Sequence, residues 1–163
     1  MTSNVEVLES DPDHVKGVLF NLVLLVWRRR TLLGSYRAAI ELVRRVGLQH
    51  PEGVGVLQVV EVDAVPPDGE VRKAFGEMML VPAIRHFSVT HEASGFRAAS
   101  LRAIVSGAHA LARPAFAHSV QSSVAAAARW ASAQNRALGA PDDAAAIERA
   151  VQELRKLHVE KYP

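Results

Sequence analysis

Gly17-Val18-Leu19-Phe20-Asn21-Leu22-Val23-Leu24-Leu25-Val26-Trp27 is the strongest apolar run in the chain. It reaches only about half of the roughly 20 residues that a membrane-crossing helix needs. It is nearly continuous and partly β-branched, which reads as a strand covered on both faces. Val5, Val7 and Leu8 precede it, set off by the turn signal Asp11-Pro12-Asp13. Residues 5–27 are therefore expected to form an antiparallel pair that opens a sheet.

Downstream, helices and strands alternate. Thr31 is placed to cap a helix in which Leu32, Tyr36, Ala39, Ile40, Val43 and Val46 recur at helical spacing, with Gly47 as its stop. A valine-rich strand is predicted over 54–62. After the loop Ala64-Val65-Pro66-Pro67-Asp68-Gly69, Asp68 is placed to cap a helix carrying Val71, Phe75, Met78 and Met79, which Pro82 ends. Alternation predicts a strand over 86–90. Ser94 reads as the N-cap of a helix with Leu101, Ile104, Val105, Ala108 and Leu111 on one face, ended by Arg113-Pro114.

A short strand follows at Ala115 to Val120. Ser122 or Ser123 opens an alanine-rich helix to about Arg136, and Asp142 or Asp143 opens a last one after the Gly139–Pro141 break. The expected order is β-β-α-β-α-β-α-β-α-α. It predicts an α/β fold: a mixed, largely parallel sheet of four to five strands with crossover helices and an extra C-terminal helix. Residues 1–136 read as one unit. Residues 137–163 read as a helix packed on that unit or on a partner.

At 163 residues the chain suits one domain. Its 49% apolar and 22% charged residues place it with globular proteins and away from disorder. No cysteine is present, which excludes disulfides and thiolate chemistry and fits a reducing, cytoplasmic setting. A formal charge of +2, despite a pI near 9.3, gives little pull toward nucleic acid or anionic lipid. Met1 to Ser10 is polar and acidic and lacks the layout of a signal peptide. Membrane insertion is not expected.

The element order resembles the STAS-like fold of anti-sigma-factor antagonists and of the cytoplasmic ends of sulfate transporters. It is most similar to a bacterial branch described as STAS or SEC14-like domains. Three stretches carry the resemblance: Val59-Val60-Glu61-Val62-Asp63-Ala64-Val65-Pro66-Pro67 with Val71-Arg72, Gly95-Phe96-Arg97-Ala98-Ala99-Ser100-Leu101-Arg102, and Phe116 to Trp130 with Ala127 and Ala128. It spans about residues 15–132 and implies a regulatory module that binds protein. Anti-sigma-factor antagonists carry a phosphorylatable serine where the strand enters the second helix. Residues 62–70 here hold neither Ser nor Thr, so the resemblance implies switching by binding alone or through another site.

No group of residues demands a particular reaction. The seven histidines, His14, His50, His86, His91, His109, His118 and His158, include no pair at i,i+3 or i,i+4. His86 and His91 are an odd number apart on one strand and point to opposite faces. These histidines are expected at the surface or the sheet edge, with no metal, cofactor or catalytic residue. Ser94-Gly95 and Ser106-Gly107 lack the rest of a nucleophile elbow. Ser94, Gly95 and Arg97 at a helix start are weak candidates for an anion or partner contact. Arg28, Arg29 and Arg30 form the densest basic cluster, without interleaved aromatics, which argues against nucleic acid.

Ile147, Ala150, Val151, Leu154 and Leu157 make a narrow stripe on the last helix. Ile147, Val151, Leu154 and Leu157 are the candidate interface if that helix serves a partner. The expectation is thus a non-catalytic regulatory or scaffolding module that binds another protein, with a homodimer as one form. The alternative is a small-molecule or lipid carrier with a pocket between the sheet and the Pro66-Pro67 loop, and the third an enzyme of unrecognised type.

Overall fold

A computed structural model describes residues 4–163. Met1 to Ser3, part of the acidic start read above, lie outside the described residues. The apolar run at 17–27 is not one strand. It folds as the end of β2 (His14–Leu19) and the whole of β3 (Leu22–Trp27), joined by the two-residue turn Phe20-Asn21. With β1 (Glu6–Ser10) ahead of it, the sheet opens on three antiparallel strands instead of two. Phe20 takes φ +56° in that turn, a region that tight hairpins usually give to Gly or Asn. Its ring packs against a core and Asn21 is fully buried, which holds the turn.

The remaining elements are α1 (Leu33–Gln49), β4 (Val54–Val60), α2 (Gly69–Met78), β5 (Ile84–His91), α3 (Phe96–Ala112), β6 (Ala117–Gln121), α4 (Val124–Leu138) and α5 (Ala144–Lys161). The fold is α/β with a mixed six-stranded sheet whose spatial order follows the chain, β1-β2-β3-β4-β5-β6. From β3 to β6 all neighbours are parallel. Right-handed crossovers that always step the same way along a sheet leave their helices on one face. Accordingly α1, α2 and α3 cover one face, and α4 and α5 return across the other. No helix among the described residues is long and apolar enough to cross a membrane.

Capping follows side-chain chemistry at three helix starts. Asp68, Ser123 and Asp143 accept from the N–H groups of Val71, Ala126 and Ala146 at 2.9, 3.1 and 3.0 Å. Two predicted caps fail. Helix α1 starts after Leu32, not Thr31, and α3 after Gly95 at φ +74°, with no cap from Ser94. Gly47 does not stop α1. It lies inside the last turn, where a Cβ would meet the Ala83 Cβ at 2.5 Å, so close packing is its role.

Helix α5 packs on its own chain. Ile147, Ala150, Val151 and Leu154 are fully buried against Val15, Leu22 and Leu24 of the sheet and against Ala128 and Ala131 of α4. Three of the four candidate interface residues are thus interior. The fourth, Leu157, is 40% exposed, and His158 takes the inward position beside it. Replacing Leu154 with alanine is expected to cost about 2–5 kcal/mol, and Leu157→Ala under about 1 kcal/mol. Urea unfolding of the two variants measures the contrast.

Candidate functional site

Charge gathers at the carboxyl ends of the parallel strands, where open α/β sheets usually hold ligands. There Arg28, Arg29 and Arg30 leave β3. The peptide N–H groups of Arg28 and Arg29 donate to the Asp13 carbonyl at 2.8 and 3.2 Å, and the Arg29 carbonyl accepts from Val65 N–H at 2.7 Å. Their side chains diverge. Arg28 donates to the Tyr162 carbonyl, Arg29 to a backbone oxygen of Pro163 at 3.0 Å, and Arg30 reaches Asp13 at 3.4 Å. The cluster is therefore no free loop; two of its guanidinium groups hold the segment after α5.

Beside it, Arg155 of α5 grips Glu61 through two hydrogen bonds, 2.7 and 2.6 Å, and meets Glu92 at 2.8 Å. Burial works against the Arg155 charge, but the two carboxylates overcome it and hold the guanidinium protonated. A cleft of about 430 Å³ opens between these groups, walled by Val26, Val62 and Val159 and edged by Arg28, Arg29, Asp63 and His158. His158 is buried. Its Nε2 donates to the Asp11 carbonyl at 2.6 Å and its Nδ1 has no hydrogen-bond partner.

Most of the histidines are interior, against expectation: His14, His86, His91, His109 and His158 are all buried. His14 and Lys16 alternate onto one face of β2 beside Trp27, with Glu9 3.1 Å from Lys16 Nζ and Asp11 2.9 Å from His14 Nδ1. Burial, aided by Lys16, lowers the His14 pKa against the pull of Asp11 and Glu9, and burial likewise lowers that of Lys16. None of these four residues lines the 430 Å³ cleft.

The amino ends of the strands carry a buried polar knot. Asn135 of α4 accepts from His86 Nε2 at 2.8 Å, exchanges hydrogen bonds with Asn21 and donates to the Pro141 carbonyl at 2.8 Å. Asn21 also donates to the Gly53 carbonyl at 3.0 Å. His86 closes over Gly55, where a Cβ would fall 2.1 Å from its ring.

Ser94, Gly95 and Arg97 do not meet Arg28–Arg30. Arg97 donates to the Val62 carbonyl at 2.9 Å, and Ser94 makes no cap. Under the Pro66-Pro67 loop a cavity of about 80 Å³ lies against Val60, His91 and Leu101. That is well short of the roughly 300 Å³ of ligand pockets. Helix α3 buries only Leu101, Val105 and His109. Ile104 and Ala108 of its expected inner face are half-buried, while Phe96 and Leu111 are 87% and 89% exposed. The His109 ring stands 3.6 Å from that of His118 on β6. Burial, then His118, pushes His109 down to about 4.

The His14–Lys16 pair was open to detection, since i and i+2 share a strand face. The His109–His118 pair was not, because it needs the packing of α3 on β6. Among the described residues no group of three or more His, Asp or Glu side chains converges as a metal site. No family model matches the chain, and no curated protein and no solved structure matches it either.

Proposed function

We propose that the protein is a non-catalytic, STAS-like binding module that joins another protein through the outer edge of β6 and the exposed face of α3. The partner that fits this edge is a second copy. The observation that carries the reading is the difference between the two sheet edges. An edge strand offers unpaired N–H and C=O groups, and proteins that stay monomeric blunt it with charge or a bulge. Strand β1 has both, with Glu6, Glu9 and a register shift between Val7 and Glu9. Strand β6, Ala117-His118-Ser119-Val120-Gln121, has no carboxylate, lysine, arginine or proline.

Two copies of β6 paired antiparallel about Ser119 set Ala117 against Gln121 and His118 against Val120. No like charges face each other across that ladder, and a two-fold axis closes the assembly. A phospho-switch at the 62–70 junction has no hydroxyl to use, so regulation runs through association. Light scattering across a range of protein concentration is expected to give a dimer. The double variant Ala117→Lys/Ser119→Lys is expected to return it to a monomer with unchanged circular dichroism. A wild-type protein that stays monomeric throughout overturns the second-copy reading, and a dimer indifferent to both lysines moves the interface off β6.

A further inference from the structure

We infer that the 430 Å³ cleft at the carboxyl ends of β3 and β4 binds a small organic phosphate, with Arg28 and Arg29 as its oxyanion ligands. The volume falls within the roughly 300–1,000 Å³ of small-molecule sites. The charges around it are not equivalent. Arg155 is committed to Glu61 and Glu92, and Arg30 to Asp13. Through their side chains Arg28 and Arg29 contact only backbone oxygens of residues 162 and 163, and among the described residues neither pairs with an Asp or Glu side chain. Each guanidinium carries five N–H donors, so each retains several while a backbone oxygen fixes its position. Two adjacent forks so held can surround a phosphate group, whose peripheral oxygens outnumber the two of a carboxylate.

The rest of the lining suits an organic ester more than a bare ion. Val26, Val62 and Val159 supply apolar wall. At its edge the Asp63 carboxylate selects for hydrogen-bond donors on the organic part.

This assignment does not depend on the β6 interface. It is tested by calorimetry on the full chain with inorganic phosphate, phenyl phosphate and benzoate at low ionic strength. Phenyl phosphate is expected to bind with a dissociation constant of roughly 1 mM or tighter, inorganic phosphate more weakly and benzoate most weakly. Arg29→Gln, at an exposed position, and Arg28→Gln are each expected to weaken phenyl phosphate about tenfold. Asp63→Asn, which removes a repelling charge, is expected to tighten it, a gain that a misfolded variant cannot give. Arg44→Gln on α1, far from the cleft in sequence and paired with Glu41, is expected to leave it unchanged. Absence of saturable binding, equal loss in Arg44→Gln, or benzoate binding as well as phenyl phosphate overturns the assignment.

Discussion

Asn135→Leu is expected to lower the unfolding free energy by about 3–5 kcal/mol, although leucine has the same branching and number of side-chain heavy atoms as asparagine. The effect is polar, not a matter of a cavity. Asn135 uses its whole amide: Oδ1 accepts from His86 and Asn21, and Nδ2 donates to Asn21 and Pro141. Leucine leaves the His86 Nε2–H, one side of the Asn21 amide and the Pro141 carbonyl without partners in the interior. Each such group costs about 1–3 kcal/mol, and Asn21 keeps only its bond to Gly53 as relief. Chemical denaturation of the variant measures the loss, and a change under about 1 kcal/mol contradicts the account. Asn21→Leu combined with Asn135→Leu is expected to cost less than the sum of the two, because both break the same pair of bonds.

Acid is expected to weaken the fold through His109. Burial and the neighbouring His118 bring its pKa from 6.5 to about 4 in the folded chain. The folded state therefore binds fewer protons than the unfolded state between those values, so stability rises with pH across that window. The contribution is complete above about pH 6.5 and is lost as the pH falls toward 4. At pH 4.5 the loss amounts to about 2 kcal/mol, given 1.36 kcal/mol per unit. His14, His86 and His91 are also lowered, by burial first, and act in the same direction. Urea unfolding at pH 7 and pH 4.5 is expected to show this drop in the wild type. In His109→Gln the drop shrinks by about 2 kcal/mol; an identical drop in both proteins removes His109 as a cause. Because α3 holds the sheet through few buried residues, the same protonation loosens α3 and β6 before the rest.

The order of helices and strands from Leu33 onward was legible because alternation and capping are local signals. Asp68, Ser123 and Asp143 sit where their side chains must cap. The first turn of the sheet was not legible, since Phe20 occupies a hairpin position that glycine or asparagine normally announces, and apolar residues on both sides hide the break. That is why five expected strands became six. The last helix was read correctly as amphipathic down to Leu154, but one residue of phase at its end put Leu157 inward in place of His158.

Site legibility followed the same line. Arg28–Arg30 stand out in the sequence as a cluster, yet two of them hold residues 134 positions away, and only the third forms an ion pair, with Asp13, 17 positions back. The buried histidines were misplaced at the surface because their burial depends on how elements pack together; His86, for one, is held by Asn135, 49 residues away.

A sheet whose strands lie in chain order has a consequence for biosynthesis. Every strand from β2 onward pairs with one already made, so each can dock as it leaves the ribosome without waiting for later sequence. Only α4 and α5 must travel back, laying residues 124–161 over the face formed by β2 to β5. Until they arrive, Leu22, Leu24, Val26, Leu57 and Val59 stand open to solvent. A nascent chain that stalls before residue 124 is thus a half-covered sheet with one greasy side, the state in which this protein most needs a chaperone.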